Sequence, residues 1–338
     1  MPHGRGCAIE VDPTLAENPL DKDYESSGYA TSTKSLAAAA AEYIYENGRR
    51  YHAYYGVEKN LMPTDEMEQE RLDINHEIFM RLLEGGLHKA PLRNPKQILD
   101  VGTGTGIWAI DMADQHPNAK VTGIDLSPIQ PKWVPANCKF LVDDAELEWT
   151  INSDTLDFVH FRNLALGISN WSHVLSETYR CLQPGGYVEL ADTGLAVYCD
   201  DGSMWPDNPV NLFCELLLEA MARSGRESVS GDLLSARLTK AGFVDIKVYP
   251  MKQPFGPWAK ERRLKEVGML TLLQSEAAFL SYGMAALTRV LGMDHEVARK
   301  ICHDGYQATM NKNTHMYGLH YIVYGRKPVR SNLEVRKI

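Results

Sequence analysis

The feature that most constrains this chain is a short apolar segment that runs into three alternating glycines and then into a helical pattern. Residues 98–101 are mostly apolar, Gly102, Gly104 and Gly106 follow, and the helical pattern begins at Ile107. Glycine lets the backbone approach a ligand closely, and a helix N-terminus offers unpaired N–H groups. This order predicts a strand, a ligand-binding turn and a helix that open an α/β unit.

Apolar and amphipathic segments alternate through the middle of the chain. Strands joined by crossover helices favour a parallel sheet, because a parallel connection must return along the length of the strand. Residues 315–326 are rich in Tyr, Ile and Val and predict an antiparallel closing strand. The predicted fold is therefore α/β, with a doubly wound, mostly parallel, Rossmann-like sheet. The other expected strands are 97–101, 120–125, 139–142, 156–161 and 186–191, with helices near 107–116 and 172–182 between some of them.

Additions at both ends are expected to surround this core. The alanine-rich residues 35–45 and the amphipathic residues 64–87 predict two helices, with Ser35 and Thr64 as N-caps and Gly48 ending or bending the first. The expected divisions are a flexible arm at 1–34, a helical lid at 35–92, a cofactor-binding core at 93–192, a helical substrate cover inserted after the fifth strand at 193–295, closing strands at 296–328 and a basic tail at 329–338.

Charge and composition limit the class of partner. With 35 Lys and Arg against 44 Asp and Glu, the net charge of −9 disfavours a surface that follows the phosphates of a nucleic acid. The six cysteines form no C-x-x-C pair, and no stretch approaches the roughly twenty apolar residues that span a bilayer. We expect a cytoplasmic protein, with the nucleus left open, that binds no nucleic acid and no metal and does not span a membrane.

The glycine spacing and two acidic residues distinguish among nucleotide-like ligands. In the dinucleotide pattern G-x-G-x-x-G the third glycine would fall on Ile107, and the Gly-Lys-Ser/Thr of a P-loop is missing. Asp125 ends the next strand, about twenty residues beyond the loop, where a carboxylate can accept from both ribose hydroxyls. Asp100 lies at the entrance of the loop. Its negatively charged carboxylate suits the cationic amino end of a methionine moiety and would repel a pyrophosphate. Together these residues favour S-adenosylmethionine (SAM) over NAD as the cofactor.

Paired acids follow the third predicted strand, at the ligand edge of such sheets. Asp143 or Asp144 is expected to accept from the adenine amino group, and the alternative is a solvated turn capped by an aspartate. The candidate cofactor-binding residues are Asp100, Gly102, Thr103, Gly104, Gly106, Asp125, Leu126, Asp143, Asp144, Ala145 and Arg162.

Segments spread from about Ser35 to Pro328 resemble the LaeA-like class I SAM-dependent methyltransferases of fungal secondary metabolism. The resemblance implies SAM contacts at Asp100, Asp125 and the three glycines, and it supports adenine binding at residues 143–145. It implies no particular substrate, because the family is divided between small-molecule methyltransferases and regulators of metabolite clusters. The resembling segments are 46–52, 62–73, 99–111, 143–146, 162–164, 179–189 and 323–328.

One departure concerns the catalytic base. Plant-type phenolic methyltransferases, which are more distant relatives, carry a His-Asp-Trp sequence after the fourth strand. The nearest match in this chain is Ser169-Asn170-Trp171. The catalytic histidine of those enzymes therefore has no counterpart at this position.

Candidates for the transfer step lie on the fourth strand and in the closing segment. Methyl transfer from a sulfonium is an in-line displacement, so alignment and exclusion of water matter most, and a base helps only a poor nucleophile. Strand alternation puts His160 and Arg162 on one side of the sheet. His160 is interpreted as a base or as a core histidine, and Arg162 as a group that orients an anionic acceptor, contacts the cofactor or pairs with an acid. His315 and His320 are further candidates for the substrate pocket.

The expected function is O-methylation of a small, apolar or aromatic secondary metabolite, in a pocket shaped by the apolar cover at 208–291. Two alternatives stay open: a SAM-binding regulator that acts through a protein partner, and a methyltransferase-fold protein that catalyses a pericyclic or isomerising step. A homodimer is also left open. Four aromatic residues are expected either to cover the cofactor or substrate or to belong to the core: Tyr51, Tyr54, Tyr55 and Trp258.

Overall fold

The computed structural model describes residues 43–53, 56 and 60–329. Its strands are β1 (Tyr43–Glu46), β2 (Arg49–His52), β3 (Gln97–Val101), β4 (Lys120–Asp125), β5 (Cys138–Val142), β6 (Leu156–Arg162), β7 (Leu182–Cys199), β8 (Val244–Pro254) and β9 (Met316–Arg326). Its helices are α1 (Glu66–Leu82), α2 (Ile107–Gln115), α3 (Trp171–Cys181), α4 (Pro209–Arg223), α5 (Gly231–Lys240), α6 (Arg262–Ala285), which continues as a π-helical turn (Ala286–Val290), and α7 (His295–Thr309).

Seven strands form one sheet in the order β5-β4-β3-β6-β7-β9-β8. Strands β3 to β7 pair in parallel, and β9 pairs antiparallel with both β7 and β8. The predicted α/β fold with a mostly parallel sheet and an antiparallel closing strand is confirmed. The carboxyl ends of the parallel strands meet at one edge, which brings the glycine loop, Asp125, residues 143–145 and Arg162 together.

Strand β8 was not predicted and lies within the segment that was expected to form a helical cover. It is an edge strand with an exposed start, and it contains Lys247, Pro250, Lys252 and Pro254. Lysine and proline protect the edges of sheets against pairing with other chains, and they also remove the alternation of apolar and polar residues by which a strand is recognised.

The N-terminal segment is a β-hairpin where a helix was predicted. Strands β1 and β2 pair antiparallel, so residues 43–45 are extended, while residues 35–42 lie outside the described part of the chain. Asn47 and Gly48 have φ angles of 54° and 73°. Two successive positive φ angles make the tight hairpin turn for which Asn-Gly is the preferred sequence. Gly48, interpreted as the end of a helix, is therefore a turn residue of the hairpin.

The second predicted helix is present as α1 but is shorter than residues 64–87. Its N-cap is Asp65 rather than Thr64, and the Asp65 side chain accepts from the backbone N–H of Glu68. Asp65 also forms a two-point ion pair with Arg49 of β2, with distances of 2.6 and 2.8 Å. The hairpin is thereby attached to the start of α1.

The cover after β7 packs around its own apolar cluster. Helices α4, α6 and α7 contribute Phe213, Leu217, Phe279, Cys302 and neighbouring side chains to it, and α6 also packs against α1. The predicted arm at 1–34 and residues 330–338 of the predicted tail lie outside the described residues. Within residues 43–53, 56 and 60–329, no helix has both the length and the apolar character that crossing a membrane requires.

Candidate active site

The glycine loop between β3 and α2 favours glycine, most clearly at two of its positions. Gly102 and Gly106 have φ angles of 68° and 82°, in the left-handed region. A Cβ atom on Gly106 would lie 2.3 Å from the ring of Phe140, and one on Gly102 would lie 2.4 Å from the side chain of Leu164. Larger residues would therefore require the Phe140 ring and the Leu164 side chain to move, in addition to the unfavourable φ angle.

The loop borders a cavity of about 160 Å³, which we call the cofactor cavity. It lies at the carboxyl edge of the parallel strands, and α1 and residues 60–64 form its opposite wall. Gly106 and Asp100 are not part of this wall. The predicted residues that do line it are Gly102, Thr103, Gly104, Asp125, Leu126, Asp143, Asp144, Ala145 and Arg162.

Asp125 is fixed at the cavity by its own backbone surroundings. One carboxylate oxygen accepts from the N–H of Gly104 at 2.8 Å, and the other accepts from the N–H of Ser127 at 2.9 Å. Burial raises the pKa of Asp125 to about 6. The carboxylate has acceptor capacity beyond these bonds. The buried Ser127 hydroxyl, also in the wall, has no hydrogen-bond partner among the described residues. These groups fit a sugar with two hydroxyls, as the ribose of SAM has.

The structure corrects the role predicted for Asp100. This residue is 3% exposed, and its carboxylate accepts from the Thr103 hydroxyl at 2.6 Å and bonds to Nδ1 of His160 at 2.8 Å. Asp100 therefore lies beneath the glycine loop and holds its first turn. It is not placed to contact the amino end of a cofactor, because its carboxylate is buried and does not line the cofactor cavity.

The structure also corrects the role of base considered for His160. The ring is 1% exposed and stacks on Trp108 of α2, with centroids 3.7 Å apart and planes at 6°. His160 does not line the cofactor cavity, and burial lowers its pKa. Of the two interpretations, the core histidine is the one that fits, because α2 covers this part of the sheet.

His315 and Trp258 line neither the cofactor cavity nor the apolar cavity next to it. His315 bonds to Asp201 at 2.6 Å and is near the Trp258 ring, whose N–H donates to the carbonyl of Met316. Tyr51 belongs to the core of the cover, whereas Tyr54 and Tyr55 lie outside the described residues. The structure thus removes His315 from the candidate site.

A second cavity, of about 150 Å³, adjoins the first, and we call it the apolar cavity. The sequence did not predict which residues line this cavity, because its wall comes from segments that are far apart in the sequence. The apolar side chains that line it include Leu166, Leu195, Val197, Val210, Phe213, Leu217, Met221, Phe255 and Phe279. Four residues line both cavities and form their boundary: Arg71, Asn75, Asn163 and Tyr282.

The boundary between the two cavities is polar, and its groups are paired. Asn163, with a φ of 55°, donates its side-chain amide to Asn75 at 2.7 Å. Arg71 bonds to both carboxylate oxygens of Glu68, at 2.8 and 2.7 Å, and its guanidinium lies over the ring of Tyr282. The boundary is therefore held by an amide pair and an ion pair rather than by free charges.

His320, a further candidate for the substrate pocket, is the histidine that lines the apolar cavity. Its Nε2 bonds to the side-chain oxygen of Gln253, and its Nδ1 lies 2.9 Å from the Thr193 hydroxyl. Since an amide oxygen only accepts, Nε2 carries the proton and Nδ1 accepts from Thr193. Burial lowers the pKa of His320 to about 3, so the ring is neutral.

Arg162 lines the cofactor cavity but not the apolar cavity. Its guanidinium donates to Nδ1 of His76 at 3.0 Å and lies 5.2 Å from the centroid of the Phe79 ring. Burial lowers the pKa of Arg162 to about 10, so the group remains a cation at neutral pH. Within the described part of the chain, no group of three or more His, Cys, Asp or Glu side chains is placed to hold a metal ion.

Comparison with known proteins places this site in a family. Residues 74–248 match the family described as Methyltransferase domain. Methyltransferase pytC of Aspergillus terreus is 36% identical over 321 residues, which cover 93% of this chain and 98% of pytC. The secondary metabolism regulator LAE1 of Cochliobolus heterostrophus is 34% identical over 84% of this chain and 94% of its own length. The protein-methionine methyltransferase laeA of Emericella nidulans is 31% identical over 84% of this chain and 76% of its own length.

The match covers the strands and loops that form the cofactor cavity, and the relatives extend over most of the chain. The class I methyltransferase fold and the predicted resemblance are confirmed. The chain belongs to the methyltransferase-domain family, within the LaeA-like and pytC methyltransferases of fungal secondary metabolism, and is a methyltransferase that uses SAM as its cofactor.

Proposed function

We propose that the chain methylates an oxygen atom of a small, apolar molecule bound in the apolar cavity. The observation that carries the proposal is the shared boundary of the two cavities, at Arg71, Asn75, Asn163 and Tyr282. SAM supplies an electrophilic methyl group on a sulfonium. An acceptor in the adjoining cavity would approach that methyl group through the boundary, and in-line alignment is the main requirement of the reaction.

In this proposal the chain binds the ribose and the adenine of the cofactor through carboxylates. Asp125 accepts from the ribose hydroxyls, since its carboxylate is fixed by the N–H groups of Gly104 and Ser127. Asp143 or Asp144 accepts from the adenine amino group, next to Ala145. Residues 60–64 and α1 exclude water from the opposite side.

The charges of the apolar cavity favour an acceptor without a carboxylate. Arg71 is paired with Glu68, and the carboxylate of Asp192 accepts from the backbone N–H groups of Leu164 and Thr193 at 3.0 and 2.8 Å. A carboxylate acceptor would need a free cation to offset its desolvation. The rest of the wall is largely apolar and suits a neutral ring or chain.

The state of His320 favours a hydroxyl that ionises by itself. The only lone pair of this neutral ring accepts from Thr193, so the histidine in the described wall of the apolar cavity is not a free base. A phenol or an enol loses its proton far more readily than an alkyl alcohol and needs less help from a base. Phenolic or enolic hydroxyls are therefore the proposed acceptor class.

Incubation with labelled SAM and a panel of acceptors tests the proposal. The panel contains phenols, enolic polyketide-like compounds, alkyl alcohols, carboxylic acids and, because one relative is named for methionine methylation, a methionine-containing peptide. We expect label in the phenols or enols. Label found only in the carboxylic acids or in the peptide would overturn the proposal.

A pair of variants links the activity to the apolar cavity. Ala278 lines the cavity on α6, whereas its neighbour Ala277 does not. Ala278→Phe should fill the cavity and lower kcat/KM for the acceptor by at least about tenfold, while SAM affinity is retained. Ala277→Phe is the matched control. Equal activity in the two variants would place the acceptor elsewhere.

A further inference from the structure

Among the described residues, the wall of the cofactor cavity contains an arginine that forms no direct ion pair. Its carboxylates are Glu68, Asp125, Asp143, Asp144 and Glu146, and its two arginines are Arg71 and Arg162. Arg71 is bound to Glu68. Arg162 has one hydrogen bond to another described residue, His76, and no described carboxylate lies within ion-pair distance of it. A half-buried guanidinium with unused N–H groups at a cavity wall is suited to bind an anion.

The hydrogen bonds of His76 define how it holds this arginine. His76 is 1% exposed, and its Nε2 lies 2.9 Å from a carboxylate oxygen of Asp111 on α2. A guanidinium only donates, so Nδ1 of His76 must be the acceptor and Nε2 must carry the proton that is donated to Asp111. Asp111 therefore selects the tautomer that can hold Arg162, in the way that a carboxylate orients a metal-binding histidine.

Phe79 completes the support from the same helix. It follows His76 by three residues on α1, so both side chains lie on one face of the helix. The Phe79 ring lies 5.2 Å from the guanidinium, and His76 bonds to one of its nitrogens at 3.0 Å. These two contacts restrict the guanidinium on the α1 side and leave its other nitrogens for a ligand.

The location of Arg162 identifies the ligand group. Arg162 lines the cofactor cavity and not the apolar cavity, so its anion belongs to the cofactor rather than to the acceptor. SAM carries one anionic group, the carboxylate of its methionine part, and its sulfonium and ammonium groups would be repelled by an arginine. We propose that Arg162 binds the carboxylate of SAM and that His76, held by Asp111, is the residue that positions Arg162.

Comparison of SAM with decarboxylated SAM isolates this contact. The two ligands share adenosine, sulfonium and amine and differ by the carboxylate alone. Calorimetric titration of the full chain should show about tenfold to hundredfold tighter binding of SAM, the range expected for a charge-assisted hydrogen bond. Arg162→Leu should reduce this preference to about onefold to threefold by weakening SAM. Equal weakening of both ligands would overturn the assignment of Arg162.

Variants of His76 separate positioning from general support of the fold. In His76→Asn the amide oxygen takes a place near that of Nδ1, so the preference for SAM should be largely retained. His76→Leu removes the acceptor and should reduce the preference by about tenfold, in a chain whose far-ultraviolet circular dichroism is unchanged. His88→Leu, at a half-buried histidine that lines neither the cofactor cavity nor the apolar cavity, is the control.

The result that would overturn the role of His76 is a full preference for SAM in folded His76→Leu. If His76→Leu does not fold, loss of the preference in His76→Asn would overturn the role, because that variant keeps the acceptor. These titrations need no acceptor molecule. A failure of the proposed O-methylation would therefore leave the binding results unaffected, and the two failures are distinguishable.

Discussion

At the scale of single residues, Asp125 is the side chain whose removal should most weaken cofactor binding. Asp125→Ala takes away the acceptor proposed for the ribose hydroxyls and leaves the N–H groups of Gly104 and Ser127 without their partner. We expect a loss of about 2 kcal/mol, or about thirtyfold in Kd for SAM, by calorimetry. Asp245→Ala, at an exposed ion pair with Arg326, is the control. An unchanged Kd would remove Asp125 from the site.

The same residue predicts a dependence of affinity on pH. Burial raises the pKa of Asp125 to about 6, and the ionised form is the better acceptor for two hydroxyls. SAM affinity should therefore fall as the pH is lowered through about 6, and this step should be missing in Asp125→Asn. Binding titrations at several pH values between about 5.5 and about 8 measure this fall in affinity. If SAM affinity fell at the same pH in wild type and in Asp125→Asn, the titrating group would be a residue other than Asp125.

His160 should behave as a support of the glycine loop and not as a base. His160→Ala removes a buried ring that stacks on Trp108 and bonds to Asp100, which itself holds Thr103. We expect a loss of about 2 to 4 kcal/mol in the free energy of unfolding, together with weaker SAM binding. The pH profile of kcat should keep its shape. If the pH profile of kcat in His160→Ala lost one of its two limbs while SAM affinity was unchanged, His160 would be the catalytic base.

At the scale of elements, α1 and the segment before it should respond to the cofactor. Asn60, Pro63, Thr64 and several residues of α1 line the cofactor cavity, and Arg49 attaches the hairpin to the start of α1. Hydrogen exchange with and without SAM should show protection at residues 60–75 as well as at 102–125, because a bound ligand suppresses local opening. Protection limited to 102–125 would contradict the lid that was predicted at the N-terminal side.

At the scale of the whole molecule, Glu189 makes stability depend on pH. Its carboxylate on β7 accepts from the N–H groups of Lys89 and Ala90, at 2.8 and 2.7 Å, and so connects the segment before β3 to the centre of the sheet. Burial raises the pKa of Glu189 to about 7. The folded chain thus retains a proton at pH values where the unfolded chain has lost it.

For such a group, stability is complete below the unfolded pKa and is lost as the pH rises through the folded pKa. Wild type should therefore lose stability relative to Glu189→Gln between about pH 4.5 and about pH 7, by at most roughly 3 kcal/mol. Urea unfolding of both proteins across this range is the measurement. A difference that stays constant with pH would show that Glu189 has the same pKa in the folded and the unfolded chain.

The sequence by itself determined the parts that depend on local chemistry. The parallel strands follow from short apolar segments between amphipathic ones, and the glycine loop follows from residues that only a ligand-binding turn requires. Because the carboxyl ends of parallel strands share one edge, Asp125, residues 143–145 and Arg162 were expected together and lie together. The Asn47-Gly48 turn was also readable, but an alanine-rich segment before it favoured a helix.

Only the tertiary structure decided which side chains face a cavity. Strand alternation places His160 and Arg162 on the same side of the sheet. Helix α2 covers His160, whereas Arg162 remains in the wall of the cofactor cavity. The apolar cavity is enclosed by segments from α1 to β9, so no local pattern indicates it. Burial depends on which elements pack over a residue, and packing joins residues that are distant in the chain. That is why the parallel strands could be derived from periodicity, whereas the roles of Asp100 and His160 could not.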